Sequence, residues 1–184
     1  RVDGAVYRQV PDSLDFHLLR AKLRAQMSPA REAANDFAQQ LKERKHASEV
    51  AARYGLAYAL LKAGDVAGAQ HELDVLLASK ASSPMIVRLA AEAKIAGGNP
   101  AAALTLFRQA LQRYPQSRAL VYGYAEALLG NREYDQGVRF LDAQIQLAAS
   151  DYKLHGLQAK TFAAAGKRLQ QHRAQAEFYF LQGQ

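Results

Sequence analysis

The chain has 184 residues, no cysteine and a formal net charge of +7 at pH 7. The lack of cysteine excludes disulfides and thiolate metal sites, and no apolar run approaches the roughly 18 residues of a membrane-spanning helix. The positive charge is spread evenly, at about +3, +2 and +2 over residues 1–46, 47–117 and 118–184. Because nucleic-acid-binding proteins concentrate basic residues in one patch, this spread argues against nucleic acid as a partner.

A period of 34 residues runs through the sequence and is marked by small side chains. Alanines separated by this period are Ala57, Ala91, Ala125 and Ala159. Twelve and sixteen residues further on, small and bulky residues alternate in three copies, at Ala69, Leu73, Ala103, Phe107, Gly137 and Leu141. This is the period of the tetratricopeptide repeat (TPR), a helix–turn–helix unit. The sequence therefore predicts an all-α fold, a right-handed α-solenoid of TPR units.

The period also predicts the repeat boundaries. We expect a single TPR domain over 1–184, with repeats at about 13–49, 50–83, 84–117 and 118–151 and irregular C-terminal helices over 152–184. In the first repeat Ala33 and Phe37 precede Ala69 and Leu73 by 36 residues. The connecting segment 42–49 (KERKHASE) is therefore expected to hold two additional residues.

The first helix of the chain is predicted after Pro11. Its N-cap is expected at Ser13 or Asp15, and its end at Ser28 before Pro29. Its packing face is expected to consist of three bulky residues, Phe16, Leu19 and Leu23.

At the other end of the chain the period weakens. Gln171 and Gln175 stand where a small and a bulky residue are expected. The spacing of a first repeat helix returns at Ala176, Tyr179 and Gly183. This predicts that another repeat begins there and is cut, and that the chain is a fragment of a longer protein.

No catalytic or metal-binding pattern is complete in this sequence. His71 and Glu72 match the first half of the zinc motif HExxH, but Val75 stands in place of the second histidine. The other histidines lack ligand spacing, and His155 falls at a packing position. We therefore expect no catalytic residue, no metal and no cofactor in this chain.

A protein-binding surface is the functional feature that the repeats predict. In TPR arrays the first helix of each repeat lines a concave groove, and the groove candidates are Tyr54, Tyr58, Arg88, Glu92, Tyr122, Glu126, Lys153 and Lys160. Tyrosine and arginine are typical of protein interfaces. One column, Tyr54, Arg88 and Tyr122, would place a guanidinium between two phenol rings. The alternative is that the tyrosines only cover neighbouring helices.

Two segments resemble a particular family: residues 15–23 (DFHLLRAKL) and residues 166–184, above all the phrase HRAQAEFY at 172–179. They look like the C-terminal TPR region of the BepA-type periplasmic zinc metallopeptidases. The resemblance implies a periplasmic protein of outer-membrane protein assembly and quality control. Its partners would be unfolded polypeptides, the β-barrel assembly machinery or its own peptidase domain.

The zinc of that family belongs to a catalytic HExxH domain that has no counterpart in this sequence. We therefore expect zinc only in a parent protein, and this chain to be its partner-recruiting part. The alternative is a free-standing TPR adaptor with no enzyme attached. RNA binding by helical repeats is disfavoured because Glu92 and Glu126 stand among the groove candidates.

Overall fold

The computed structural model describes residues 13–79 and 81–183. Within these ranges the chain forms ten α-helices and no strand, as the prediction of an all-α fold requires. The helices are α1 (Leu14–Met27), α2 (Ala30–Lys42), α3 (Glu49–Ala63), α4 (Val66–Ala78), α5 (Pro84–Ala96), α6 (Pro100–Arg113), α7 (Arg118–Gly130), α8 (Tyr134–Leu147), α9 (Tyr152–Ala164) and α10 (Arg168–Leu181). They group into two compact units, the first ending at Ser83 and the second beginning at Pro84.

The helix ends follow from capping residues. Ser13 is the N-cap of α1, and its Oγ accepts a hydrogen bond from the backbone N–H of Phe16 at 3.2 Å. At the turns after α3, α5 and α9 the backbone is left-handed, with φ of 87°, 77° and 73° at Gly64, Gly98 and Gly166. Glycine adopts this conformation without strain. In the turn after α7, Arg132 takes the same position with φ of 62°.

The columns of small residues form the core of both units. Ala57 and Ala91 are fully buried, as are Ala69 and Ala103. Small side chains let paired helices approach to about 8–10 Å. The bulky positions that follow are also buried, and Phe107, at 1% exposed, is the largest of them. Burial of such a side chain contributes about 1.5–3 kcal/mol.

Two phenylalanines pack directly on glycines of the next helix pair. In the first unit the ring of Phe37 on α2 covers Gly55 on α3, where a Cβ atom would lie 2.5 Å from the ring. In the second unit the ring of Phe107 on α6 covers Gly123 on α7, where a Cβ atom would lie 2.9 Å away. Both glycines are therefore needed for the close approach of helices.

The packing face of α1 differs from the predicted one. Phe16, Leu19 and Leu23 are 47%, 48% and 52% exposed, whereas the buried residues are Leu18, Ala21 and Ala25. The reason is helix spacing: α1 packs on α3, and a stripe containing two alanines allows a closer contact than three bulky side chains.

The C-terminal region also differs from its prediction. Residues 168–181 form one continuous helix, α10, which packs on α9. No new helix begins at Ala176. The small and bulky positions of α10 are taken by Ala174, which is 3% exposed, and by Phe178, whose ring covers Gly156 on α9. These residues lie three positions later than the 34-residue period predicts, so the helix is rotated relative to the earlier second helices.

Candidate functional site

A cleft of about 580 Å³ lies in the second unit, on the face shared by α5, α7 and α9 and beside α10. Its volume is in the range of ligand-binding clefts. Five of the eight predicted groove residues line it: Arg88, Tyr122, Glu126, Lys153 and Lys160. The structure therefore brings together the part of the predicted surface that lies in this unit, apart from Glu92.

The guanidinium of Arg88 is held by two carboxylates. Its Nε lies 2.8 Å from Oε1 of Glu92, and its Nη2 lies 3.6 Å from Oε2 of Glu126. Its Nη1 also donates to the backbone carbonyl of Ala119 at 3.4 Å. Arg88 is thus engaged with carboxylates, and it is Lys153 that lies over the ring of Tyr122, with its Nζ 5.7 Å from the ring centroid.

The hydroxyl of Tyr122 is fixed at the edge of the cleft. It donates a hydrogen bond of 2.6 Å to Oδ2 of Asp151, the N-cap residue of α9. The same carboxylate oxygen lies 3.3 Å from Nε of Arg118. Burial, followed by the hydrogen bond to Asp151, raises the pKa of Tyr122 to about 12. The phenol therefore stays neutral at physiological pH and presents a fixed aromatic surface.

Two lysines add positive charge to the cleft. Lys153 and Lys160 are exposed and lie seven residues apart on α9, which separates them by about 10.5 Å along one helix face. In the described part of the chain neither ammonium has a carboxylate within ion-pair distance. Among the described lining residues Glu126 is the one carboxylate, and it pairs with Arg88.

The opposite wall of the cleft comes from α10, which supplies none of the eight groove candidates. Its lining residues are Gln171, Gln175, Phe178 and Tyr179. The two glutamines are the residues that break the repeat pattern. The rotation of α10 turns them toward the cleft and lets Ala174 fill the small packing position. Their mismatch with the period was the available sequence signal.

The remaining groove candidates lie outside this cleft. Tyr54 is 3% exposed in the first unit. The hydroxyl of Tyr58 accepts a hydrogen bond from Nε2 of Gln26 at 2.8 Å, and Nζ of Lys22 lies 5.6 Å from its ring centroid. Tyr54 is therefore buried, Tyr58 contacts side chains of α1, and neither lines the cleft. Glu92 lines a second cavity of about 370 Å³ in the second unit, which shares Glu126 with the cleft.

The incomplete zinc motif has a structural use. Oε2 of Glu72 accepts a hydrogen bond of 2.9 Å from Nη1 of Arg53, which links α4 to α3. Hydrogen bonds to Glu72 and then to Glu49 raise the pKa of Arg53. His155 is 8% exposed, with Nε2 2.9 Å from the carbonyl of Ala149. In residues 13–79 and 81–183 no group of histidine and acidic side chains is arranged to hold a metal ion.

The comparisons with known proteins agree with this architecture. Residues 94–161 match the tetratricopeptide repeat family. The chain has the tetratricopeptide repeat fold. A comparison with curated proteins finds no match. In the described parts of the chain, every helix is too short or too polar to cross a membrane.

Solved structures with the same fold cover nearly the whole chain. A putative kinesin light chain of Podosopora anserina with nearly identical TPR-like repeats has a TM-score of 0.74 at 18% identity, covering 92% of this chain and 94% of that one. MamA AMB-1 has a TM-score of 0.66 at 15% identity and coverages of 91% and 98%. YrrB, a TPR protein with an unusual peptide-binding site, has a TM-score of 0.63 at 13% identity and coverages of 94% and 87%.

Proposed function

We propose that the cleft of the second unit binds an extended segment of another protein. The observation that carries this proposal is the cleft itself, in which aromatic side chains and lysine ammonium groups line one continuous space. Tyr122, Phe178 and Tyr179 offer apolar surface that an inserted side chain can bury. Lys153 and Lys160, with the amides of Gln171 and Gln175, offer donors to the carbonyl groups of an extended backbone.

The known proteins with this fold support a protein ligand. YrrB is described as having a peptide-binding site, and TPR arrays present helix faces on which peptides lie. The low identity limits this support to the fold. The residues of this cleft are therefore the basis of the proposal, and the chain is proposed to act by binding and not by catalysis.

The parent protein is proposed to be a periplasmic zinc metallopeptidase of the BepA type. The phrase that carries this resemblance, residues 172–179, lies in α10, and three of its residues, Gln175, Phe178 and Tyr179, line the cleft. In this proposal the cleft recruits unfolded outer-membrane proteins or segments of the β-barrel assembly machinery. A free-standing TPR adaptor would use the same cleft without an attached enzyme.

A blocking substitution tests the cleft. Ala163 lines it and is exposed, whereas the neighbouring Ala164 is exposed but does not line it. Ala163→Trp should occupy the cleft and weaken binding of a fluorescently labelled, urea-unfolded outer-membrane protein at least tenfold. Ala164→Trp adds the same side chain to the same helix and should leave the affinity unchanged.

Circular dichroism of both variants checks that the helices remain intact. Equal binding by the Ala163→Trp and Ala164→Trp variants would exclude the cleft as the binding site. The sequence encoded upstream of Arg1 distinguishes a metallopeptidase parent from a free-standing adaptor. A signal peptide followed by HExxH supports the peptidase, and a reading frame without them supports the adaptor.

A further inference from the structure

We propose that the segment held in the cleft is acidic, with its carboxylates between Lys153 and Lys160 and a neighbouring apolar side chain against Tyr122 and Phe178. This inference depends on the proposed function, because it specifies the chemistry of the ligand for the same cleft. It rests on three features of the lining residues: their charge, their hydrogen-bonding groups and the position of the aromatic rings.

The first feature is an imbalance of charge. The lining residues include three cations, Arg88, Lys153 and Lys160, and one carboxylate, Glu126. Arg88 and Glu126 pair with each other, so the charge left for a ligand is that of the two lysines. A basic segment would be repelled by these ammonium groups, and the lining carboxylate, Glu126, already pairs with Arg88. An acidic segment would pair with both ammonium groups.

The second feature is the supply of donors on the facing wall. Gln171 and Gln175 replace the small and bulky residues that the repeat expects, and both line the cleft. Each side-chain amide has two N–H donors. Nε2 of Gln175 makes a long hydrogen bond of 3.4 Å to the hydroxyl of Tyr179. Carboxylate groups, which only accept hydrogen bonds, therefore match the lysines of α9 and the glutamines of α10 at once.

The third feature is the apolar surface beside these donors. The ring of Tyr122 is held by the hydrogen bond to Asp151, and the ring of Phe178 packs against Gly156. A ligand side chain that contacts these rings loses little rotamer freedom on the protein side. The cleft thus favours a carboxylate and an apolar or aromatic residue close together in the ligand.

Three short unstructured peptides test the inference. Each carries one phenylalanine in a glycine–serine background, flanked by two glutamates, two glutamines or two lysines. At low salt the glutamate peptide should bind about three- to tenfold more tightly than the glutamine peptide, and the lysine peptide should bind most weakly. The preference should shrink as sodium chloride shortens the Debye length.

A pair of double variants locates the effect. Lys153→Gln with Lys160→Gln should abolish the preference for the glutamate peptide. Lys42→Gln with Lys62→Gln removes the same charge from exposed positions of the first unit and should preserve it. The inference is overturned if the glutamate and glutamine peptides bind equally, or if both double variants lose the preference to the same extent.

Two further measurements separate this inference from the proposed function. Ala163→Trp should prevent binding of every peptide. If all peptides bind equally and this substitution blocks them all, the proposed function stands and the acidic preference is wrong. A short single-stranded oligonucleotide serves as a different anion. The assignment to an acidic protein segment would be overturned if the oligonucleotide bound more tightly than the glutamate peptide and lost this binding in the double variant Lys153→Gln with Lys160→Gln.

Discussion

The first helices of the repeats have different surroundings in the two units. In the first unit Tyr54 is buried and Tyr58 is covered by Gln26 and Lys22 of α1. In the second unit the corresponding Tyr122 lines an open cleft with Arg88. The same repeat position is therefore buried at Tyr54 and lines an open cleft at Tyr122.

This difference shows that a repeat position determines the direction of a side chain but not which neighbouring residues it contacts. In the first unit α1 packs on α3, and its residues Gln26 and Lys22 contact Tyr58. In the second unit α10 packs on α9 with a rotated face, which leaves space between α10 and the groove positions. The neighbouring helix thus decides whether a groove residue is available to a ligand.

The largest expected effect comes from the two tyrosines of one column. Tyr54→Ala should lower the free energy of unfolding by about 3–5 kcal/mol, because it removes a buried aromatic side chain. Tyr122→Ala should cost about 1–2 kcal/mol, because its ring is partly exposed, but should also weaken peptide binding. Urea denaturation of both variants measures the two costs. Equal costs would remove the distinction between a packing face and a binding face.

The second comparison uses the glycines under the phenylalanine rings. Gly55→Ala should lower the free energy of unfolding by about 1–3 kcal/mol, because the added methyl group would lie 2.5 Å from the ring of the buried Phe37. Gly156→Ala should cost less, since its methyl group would lie 2.9 Å from the ring of the partly exposed Phe178, which can move. Thermal denaturation of the two variants tests the order. A larger cost at Gly156 would show that α10 is packed as rigidly as α2.

The third comparison concerns the two arginines that join neighbouring helices. Glu72 is 15% exposed and Glu126 is 55% exposed at their contacts with Arg53 and Arg88. Glu72→Gln should therefore lower the free energy of unfolding by about 1 kcal/mol, and Glu126→Gln by a few tenths. Chemical denaturation at low and high salt measures both. A salt-sensitive loss at Glu72 equal to that at Glu126 would contradict the difference in burial.

The smallest expected effect at neutral pH is that of Tyr122 ionisation, which changes stability only at alkaline pH. Its pKa is raised from 10.0 to about 12 in the folded chain, so the unfolded chain loses this proton first as the pH rises. Its contribution to stability is complete below pH 10 and is lost between about pH 10 and 12. Tyr122→Phe should therefore flatten the fall of stability in this window. Ultraviolet titration of the variant should show one fewer tyrosine that ionises late, and an unchanged number of late-ionising tyrosines would contradict the partly buried hydrogen bond to Asp151.

Much of this fold could be predicted from the sequence because its packing repeats along the chain. The alanine column at Ala57 and Ala91 and the bulky Phe107 are local signals of helix pairing, and all three are buried. The N-cap at Ser13 is also a local signal. The packing face of α1 was predicted incorrectly. The large apolar side chains of Leu19 and Leu23 indicated burial more strongly than the small side chain of Ala21.

The cleft could be predicted only in part. Five of its residues follow from the groove positions of α5, α7 and α9. The contribution of α10 depends on a shift of its packing positions by three residues, which a fixed period of 34 residues cannot predict. Gln171 and Gln175 marked the departure, but only the position of Ala174 against α9 shows which face of α10 lines the cleft.

The contact between Phe37 and Gly55 also orders the routes by which this sequence can change. An alanine at position 55 is unfavourable while the ring remains at position 37, although alanine is the better helix former by about 1 kcal/mol. If position 37 first becomes leucine, the methyl group has room and the same alanine should become favourable. The two positions are therefore coupled. The order that begins at position 37 exchanges one buried apolar side chain for another, whereas the order that begins at position 55 forces a methyl group against the ring.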